Sequence, residues 1–70
     1  MIRLMLLVQE PRGFRVDILM LAPWTFDEPV DVELYVFSGE GGVARLPLWD
    51  GRVVPVRRDD VEAVCAWEEG

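Results

Sequence analysis

Carboxylates are the commonest reactive groups in this sequence, and they gather at two places, Asp27/Glu28/Asp31 and Asp59/Asp60/Glu62. Paired carboxylates do general acid–base work when a pocket pushes their pKa values apart. They can also hold a divalent ion, but neither spacing matches a calcium loop. The sole cysteine, Cys65, lies in the apolar run Ala63-Val64-Cys65-Ala66, and no histidine exists to activate it. A buried structural thiol is expected there rather than a nucleophile. One thiol and no imidazole leave no zinc-type ligand set and no disulfide within the chain. Seventy residues also give little room for a sheltered pocket. The expectation is a protein that is not an enzyme and has neither cofactor nor metal.

Binding chemistry has a stronger case. The formal net charge is −6, and all seven basic residues are arginine. A nucleic-acid binder needs a basic surface to neutralise phosphates, so direct DNA or RNA binding is disfavoured. Residues 27 to 44 hold five acidic side chains and no basic one, directly after two aromatics. The strip Trp24, Phe26, Asp27, Glu28, Asp31 and Glu33 is therefore a candidate partner-binding segment, suited to a basic protein surface. The plainer alternative is that both rings cap one end of the fold while the acids are solvated. Arg45, Arg52, Arg57 and Arg58 make a basic counter-patch. It could hold an anionic ligand at a subunit interface, or simply pair with Asp59 and Asp60 at the surface, where such pairs contribute little.

These groups must be positioned by strands. From Ile2 to Ala22 the even positions are apolar almost throughout (Ile2, Leu4, Leu6, Val8, Phe14, Val16, Ile18, Met20), and Glu10-Pro11-Arg12-Gly13 interrupts them. A period of two reads as a half-buried β-hairpin. Taking Pro11-Arg12-Gly13 as a three-residue loop with Gly13 at positive φ sets Val8 opposite Val16, Leu6 opposite Ile18 and Leu4 opposite Met20. Pro23 to Pro29 reads as a loop. Val30 to Ser38 alternates again, with Val30, Val32, Leu34 and Val36 on one face, and reads as a third strand. Gly39-Glu40-Gly41-Gly42 then marks a turn.

Val43 to Trp49 and Arg52 to Val56 form a second hairpin. A two-residue Asp50-Gly51 loop would demand a ladder hydrogen bond from Pro47, which has no N–H. A three-residue loop, Trp49-Asp50-Gly51, places Leu46 against Val54 and Ala44 against Val56, with both prolines at non-bonded positions. Of two readings for the C-terminal segment, a helix capped by Asp59 or a turn at Arg58-Asp59-Asp60 followed by a strand from Glu62 to Trp67, the second supplies an open sheet edge with partners and is preferred.

The fold class expected is all-β, one domain spanning 1–70. It would be a small antiparallel barrel of five to six strands, or a strongly twisted sheet, with room for one short helical turn near the C-terminus. In size, and in the polar turn before a closing strand, the stretch from Val43 to Trp67 resembles the small barrels of the Src-homology and Sm kind. The likeness is one of architecture alone.

The odd face of the first hairpin is too apolar to face water: Met5, Leu7, Leu19 and Leu21, joined by Tyr35 and Phe37 if the third strand lies alongside. These six are the candidate self-association surface. The alternative cover is the terminal segment with Val61, Val64 and Trp67. The function expected is a small interaction module, a homo-oligomer that binds and regulates or inhibits a larger protein. The rival readings are an oligomeric binder of anionic small molecules and a structural accessory subunit of a phage or bacterial assembly. No stretch approaches the ~20 apolar residues of a membrane span, so a cytoplasmic protein is the expectation.

Overall fold

The computed structural model describes residues 1–38 and 42–70. In chain order it contains β1 (Ile2–Glu10), β2 (Gly13–Met20), α1 (Pro29–Ser38), β3 (Val43–Pro47), β4 (Val53–Arg57), a 3-10 turn (Arg58–Asp60) and β5 (Val61–Glu68). The mostly-β expectation stands. The strands form two antiparallel sheets, β2-β1-β5 and β3-β4, and these do not close into a barrel. They touch where Leu21 bridges Leu48, with the Ala22 N–H donating to the Pro47 carbonyl at 3.0 Å.

The second hairpin and the C-terminal strand agree with the sequence reading. Leu46 pairs with Val54 and Ala44 with Val56, and the Leu48 N–H donates to the Arg52 carbonyl at 2.7 Å across the loop 49–51. Alternation in an antiparallel ladder then leaves Pro47 and Pro55 at non-bonded positions, where a missing N–H costs no ladder bond. Gly51 takes φ +90 in that loop, a conformation only glycine adopts freely. The polar residues Arg58–Asp60 turn the chain, and β5 runs antiparallel beside β1.

Two expectations are overturned. The first hairpin keeps its strands but not its register: Glu10 pairs with Gly13, Val8 with Arg15, Leu6 with Asp17 and Leu4 with Leu19. Only Pro11 and Arg12 form the loop, and neither has positive φ. A turn of that type splays the strands, and Gly13, at φ +143, absorbs the mismatch. The shift by one residue reverses every side chain of β2. Its cause lies at the far end of the strand. Leu21 is 1% exposed and fixed by bonds to both Ile2 and the second sheet, so the positions in phase with it, Leu19, Asp17 and Arg15, turn to the core side.

The second correction is that Val30 to Ser38 is not a strand but most of α1. Pro29 supplies a first helical residue whose missing N–H is no loss, and Asp27, Glu28 and Asp31 complement the positive end of the helix. The Asp31 N–H donates to the Glu28 carbonyl at 3.0 Å, and the Ser38 hydroxyl donates back to the Leu34 carbonyl. Val32 and Val36, one turn apart, are both fully buried. They meet Ile2, Leu4, Leu6, Leu46 and Val56 in one core between the sheets. Of the expected glycine turn, residues 39 to 41 lie outside the described residues.

Candidate interaction surface

The core occupies one face of the β2-β1-β5 sheet, and the register determines what remains on the other. Even positions of β2 sit across from odd positions of β1, which sit across from odd positions of β5. The outer face therefore carries Phe14, Val16 and Ile18, then Met5 and Leu7, then Cys65 and Trp67. Phe14 and Ile18 are each 60% exposed and Val16 57%. A shallow apolar groove of about 290 Å³ runs between Met5, Leu7, Val16, Ala63 and Cys65. Nothing in the described chain covers this face; Val61 and Val64 pack on the core side instead, so the terminal segment lies beside the hairpin rather than over it.

The six residues expected to share a self-association face are divided. Met5 and Leu7 lie on the outer face, whereas Leu21 is buried and Leu19 and Tyr35 pack against the core. Phe37 is exposed on α1, away from the sheet's outer face. Sequence parity missed Phe14, Val16 and Ile18, because it turned the even positions of β2 inward, with Val16 opposite Val8 and Ile18 opposite Leu6. The signal that could have found them is the pair Leu19 and Leu21, an inward set as apolar as Ile18 and Met20. Cys65 also needs correction: its thiol is exposed on the outer face, not buried.

The acidic-aromatic strip divides too. Trp24 is 79% exposed, with Asp27, Glu28 and Asp31 exposed beside it in sequence. Phe26 is half-buried against the core, its ring 5.6 Å from that of Tyr35. Glu33 points to β5, where its carboxylate accepts the Ala66 N–H at 3.0 Å. Trp24→Ala is thus expected to change stability by less than ~0.5 kcal/mol and Phe26→Ala to cost about 1–3 kcal/mol. Urea titration of the two single variants checks both, and equal effects would contradict the division.

The arginines do not converge. Arg52 pairs with Asp50 at 2.7 Å beside the hairpin loop, whereas Arg57 faces Asp60 at 3.8 Å at the hairpin's other end. Arg58 turns inward, its Nε donating to the Val36 carbonyl at 3.1 Å. Arg45 is exposed, and its backbone N–H donates to the Tyr35 hydroxyl at 3.0 Å. The Asp50 carboxyl is held below the usual carboxylate range, first by the backbone N–H of Arg52 and then by its guanidinium. On β2, Asp17 accepts both of its contacts from Arg15 Nε at 3.1 Å, and the arginine's pKa is raised chiefly by that bond. Among the described residues no group of three carboxylates or thiols is placed to hold a metal ion. No helix among them is long and apolar enough to cross a membrane.

Comparison with protein-family models, with curated proteins and with solved structures finds no match for this chain.

Proposed function

We propose that the chain is a non-enzymatic interaction module that works as a homo-oligomer and binds a larger protein. The observation that carries this reading is the outer face of the β2-β1-β5 sheet, where Phe14, Val16 and Ile18 are all more than half exposed beside Met5. A water-facing sheet surface is ordinarily polar at alternate positions, and one this apolar is what an association surface requires. Small domains also gain from assembly, because a core of this size leaves a thin margin of stability. The contact to a larger protein falls to exposed Trp24 with Asp27, Glu28 and Asp31, a ring flanked by carboxylates that suits a basic partner surface.

Sedimentation of the purified chain at micromolar concentration tests the first half of the reading. A species heavier than the 8.0 kDa chain is the expected result. A stable monomer would remove self-association and leave only the partner contact.

A further inference from the structure

We infer that a second copy of the chain joins through the open edge of β2, the two β2 strands running antiparallel about a two-fold axis at Val16. The inference rests on the self-association proposed above and specifies its geometry. It starts from where the backbone groups of β2 point. The Leu21 N–H donates to the Ile2 carbonyl at 3.0 Å, so in this ladder the odd residues of β2 bond to β1. Alternation turns the N–H and C=O of Phe14, Val16 and Ile18 to the free edge. Met20 conforms, since its carbonyl faces outward and accepts the Trp49 N–H at 3.1 Å.

The other edges are blunted by devices that hinder a further strand. On β5, Glu33 of α1 takes the outward N–H of Ala66. On β4, Pro55 sits opposite Arg45 at a non-bonded position, so the outward edge lacks a donor there. On β3, the Tyr35 hydroxyl takes the Arg45 N–H, and the bridge to Leu21 takes the Pro47 carbonyl. Among the described residues no proline and no hydrogen-bond partner occupies the outward backbone groups of β2 from Phe14 to Ile18, and this stretch is also the most exposed apolar strand of the fold.

The sequence Phe14-Arg15-Val16-Asp17-Ile18 is complementary to itself in one register. Centred on Val16, Phe14 of one copy lies opposite Ile18 of the other, and Arg15 lies opposite Asp17 on both sides of the axis. The outward groups at 14, 16 and 18 then make about six interchain bonds, two per closely spaced pair. Arg15 and Asp17 face one another at the non-bonded positions, where side chains approach most closely. Moving the axis to Asp17 would oppose two carboxylates, and moving it to Arg15 would oppose two guanidinium groups. Both alternatives are disfavoured by like-charge repulsion. The exposed ion pairs set the register more than the affinity. The result is a continuous six-stranded sheet, β5-β1-β2-β2-β1-β5, with one apolar outer face shared between the copies.

Charge exchange tests the register. Arg15→Asp gives a chain with two acids on β2, and Asp17→Arg gives one with two bases. Each variant alone should dissociate about tenfold more readily than the parent, because both cross-axis pairs become repulsive. An equimolar mixture should sediment again as a dimer, and the double variant R15D/D17R should associate like the parent. Amide hydrogen exchange of the parent gives a second measure that needs no variant to fold. The N–H groups of Phe14, Val16 and Ile18 should become protected as concentration rises through the association range. If the parent oligomerises while these amides stay unprotected and the single variants associate unchanged, edge pairing is overturned and self-association by another surface stands. A parent that remains monomeric overturns both.

Discussion

Replacing Leu4 by alanine is expected to leave the chain largely unfolded in buffer at room temperature. Leu4 lies mid-way along β1, the central strand of its sheet, with β2 on one side and β5 on the other. Its side chain is fully buried and belongs to the core shared with Val32, Val36 and Leu46. Truncating such a leucine removes its transfer free energy and leaves a cavity that the surroundings only partly fill, at a cost of about 3–5 kcal/mol. A core in a chain of this size leaves ~3–5 kcal/mol in all. The loss therefore matches the whole margin. The neighbouring variant Met5→Ala, on the outer face at 40% exposure, should cost under ~1 kcal/mol in the monomer. Far-UV circular dichroism and urea titration at low protein concentration separate the two, since association would otherwise add stability by mass action. A cooperative Leu4→Ala transition close to the parent's would show that β1 does not bury its even face.

The contrast between those two variants holds under either register of the first hairpin, because β1's own alternation settles it. What β1 could not reveal is the phase of its partner. In β2 and the residue that follows it both parities contain large apolar residues: Phe14, Val16 and Ile18 at even positions, Leu19 and Leu21 at odd ones. A loop of two or three residues is compatible with Pro11-Arg12-Gly13, so local chemistry left the choice open. The long-range bridge from Leu21 to Leu48 makes it, and no local pattern contains that contact. The second hairpin was legible because the competing register would demand a ladder hydrogen bond from Pro47, which has no N–H. The turn and strand from Arg58 onward were the preferred of two readings because an open sheet edge needed a partner, and that edge belongs to β1. The assembly argument as read from the first hairpin falls with its register. The apolar excess on an outer face is present, but β2 supplies Phe14, Val16 and Ile18 to it where Leu19 and Leu21 were expected.

The segment from Pro29 to Ser38 shows how two periods can coexist in ten residues. Val30, Val32, Leu34 and Val36 alternate as a strand would, while Val32 and Val36 also stand one helical turn apart. The deciding signals are at the ends: Asp27-Glu28-Pro29 before the run, and glycine after Ser38, the asymmetry of a helix.

Introducing a charge on each face of this segment tests the helix directly. Val36→Asp is expected to abolish folding, and Leu34→Asp to leave it nearly intact. Val36 is fully buried between α1 and the sheets, its side chain in an apolar cluster, while the nearby Arg58 Nε is engaged by the Val36 backbone carbonyl. An unpaired charge in such a site costs several kcal/mol unless it is neutralised by protonation, which itself destabilises the fold at neutral pH. Leu34 is 58% exposed on the opposite side of the helix, where an aspartate stays hydrated. Its cost should be ~0.5–1 kcal/mol, from lower helix propensity and from a negative charge toward the C-terminal half of α1. A strand over the same residues would set Leu34 and Val36 on one face, and the two substitutions would then be about equally damaging. Circular dichroism and urea titration of both variants read the difference. The helix assignment, and with it the Glu33 contact from α1 to the outward Ala66 N–H of β5 that leaves β2 as the open edge, depends on Val36→Asp being far the more destructive of the pair.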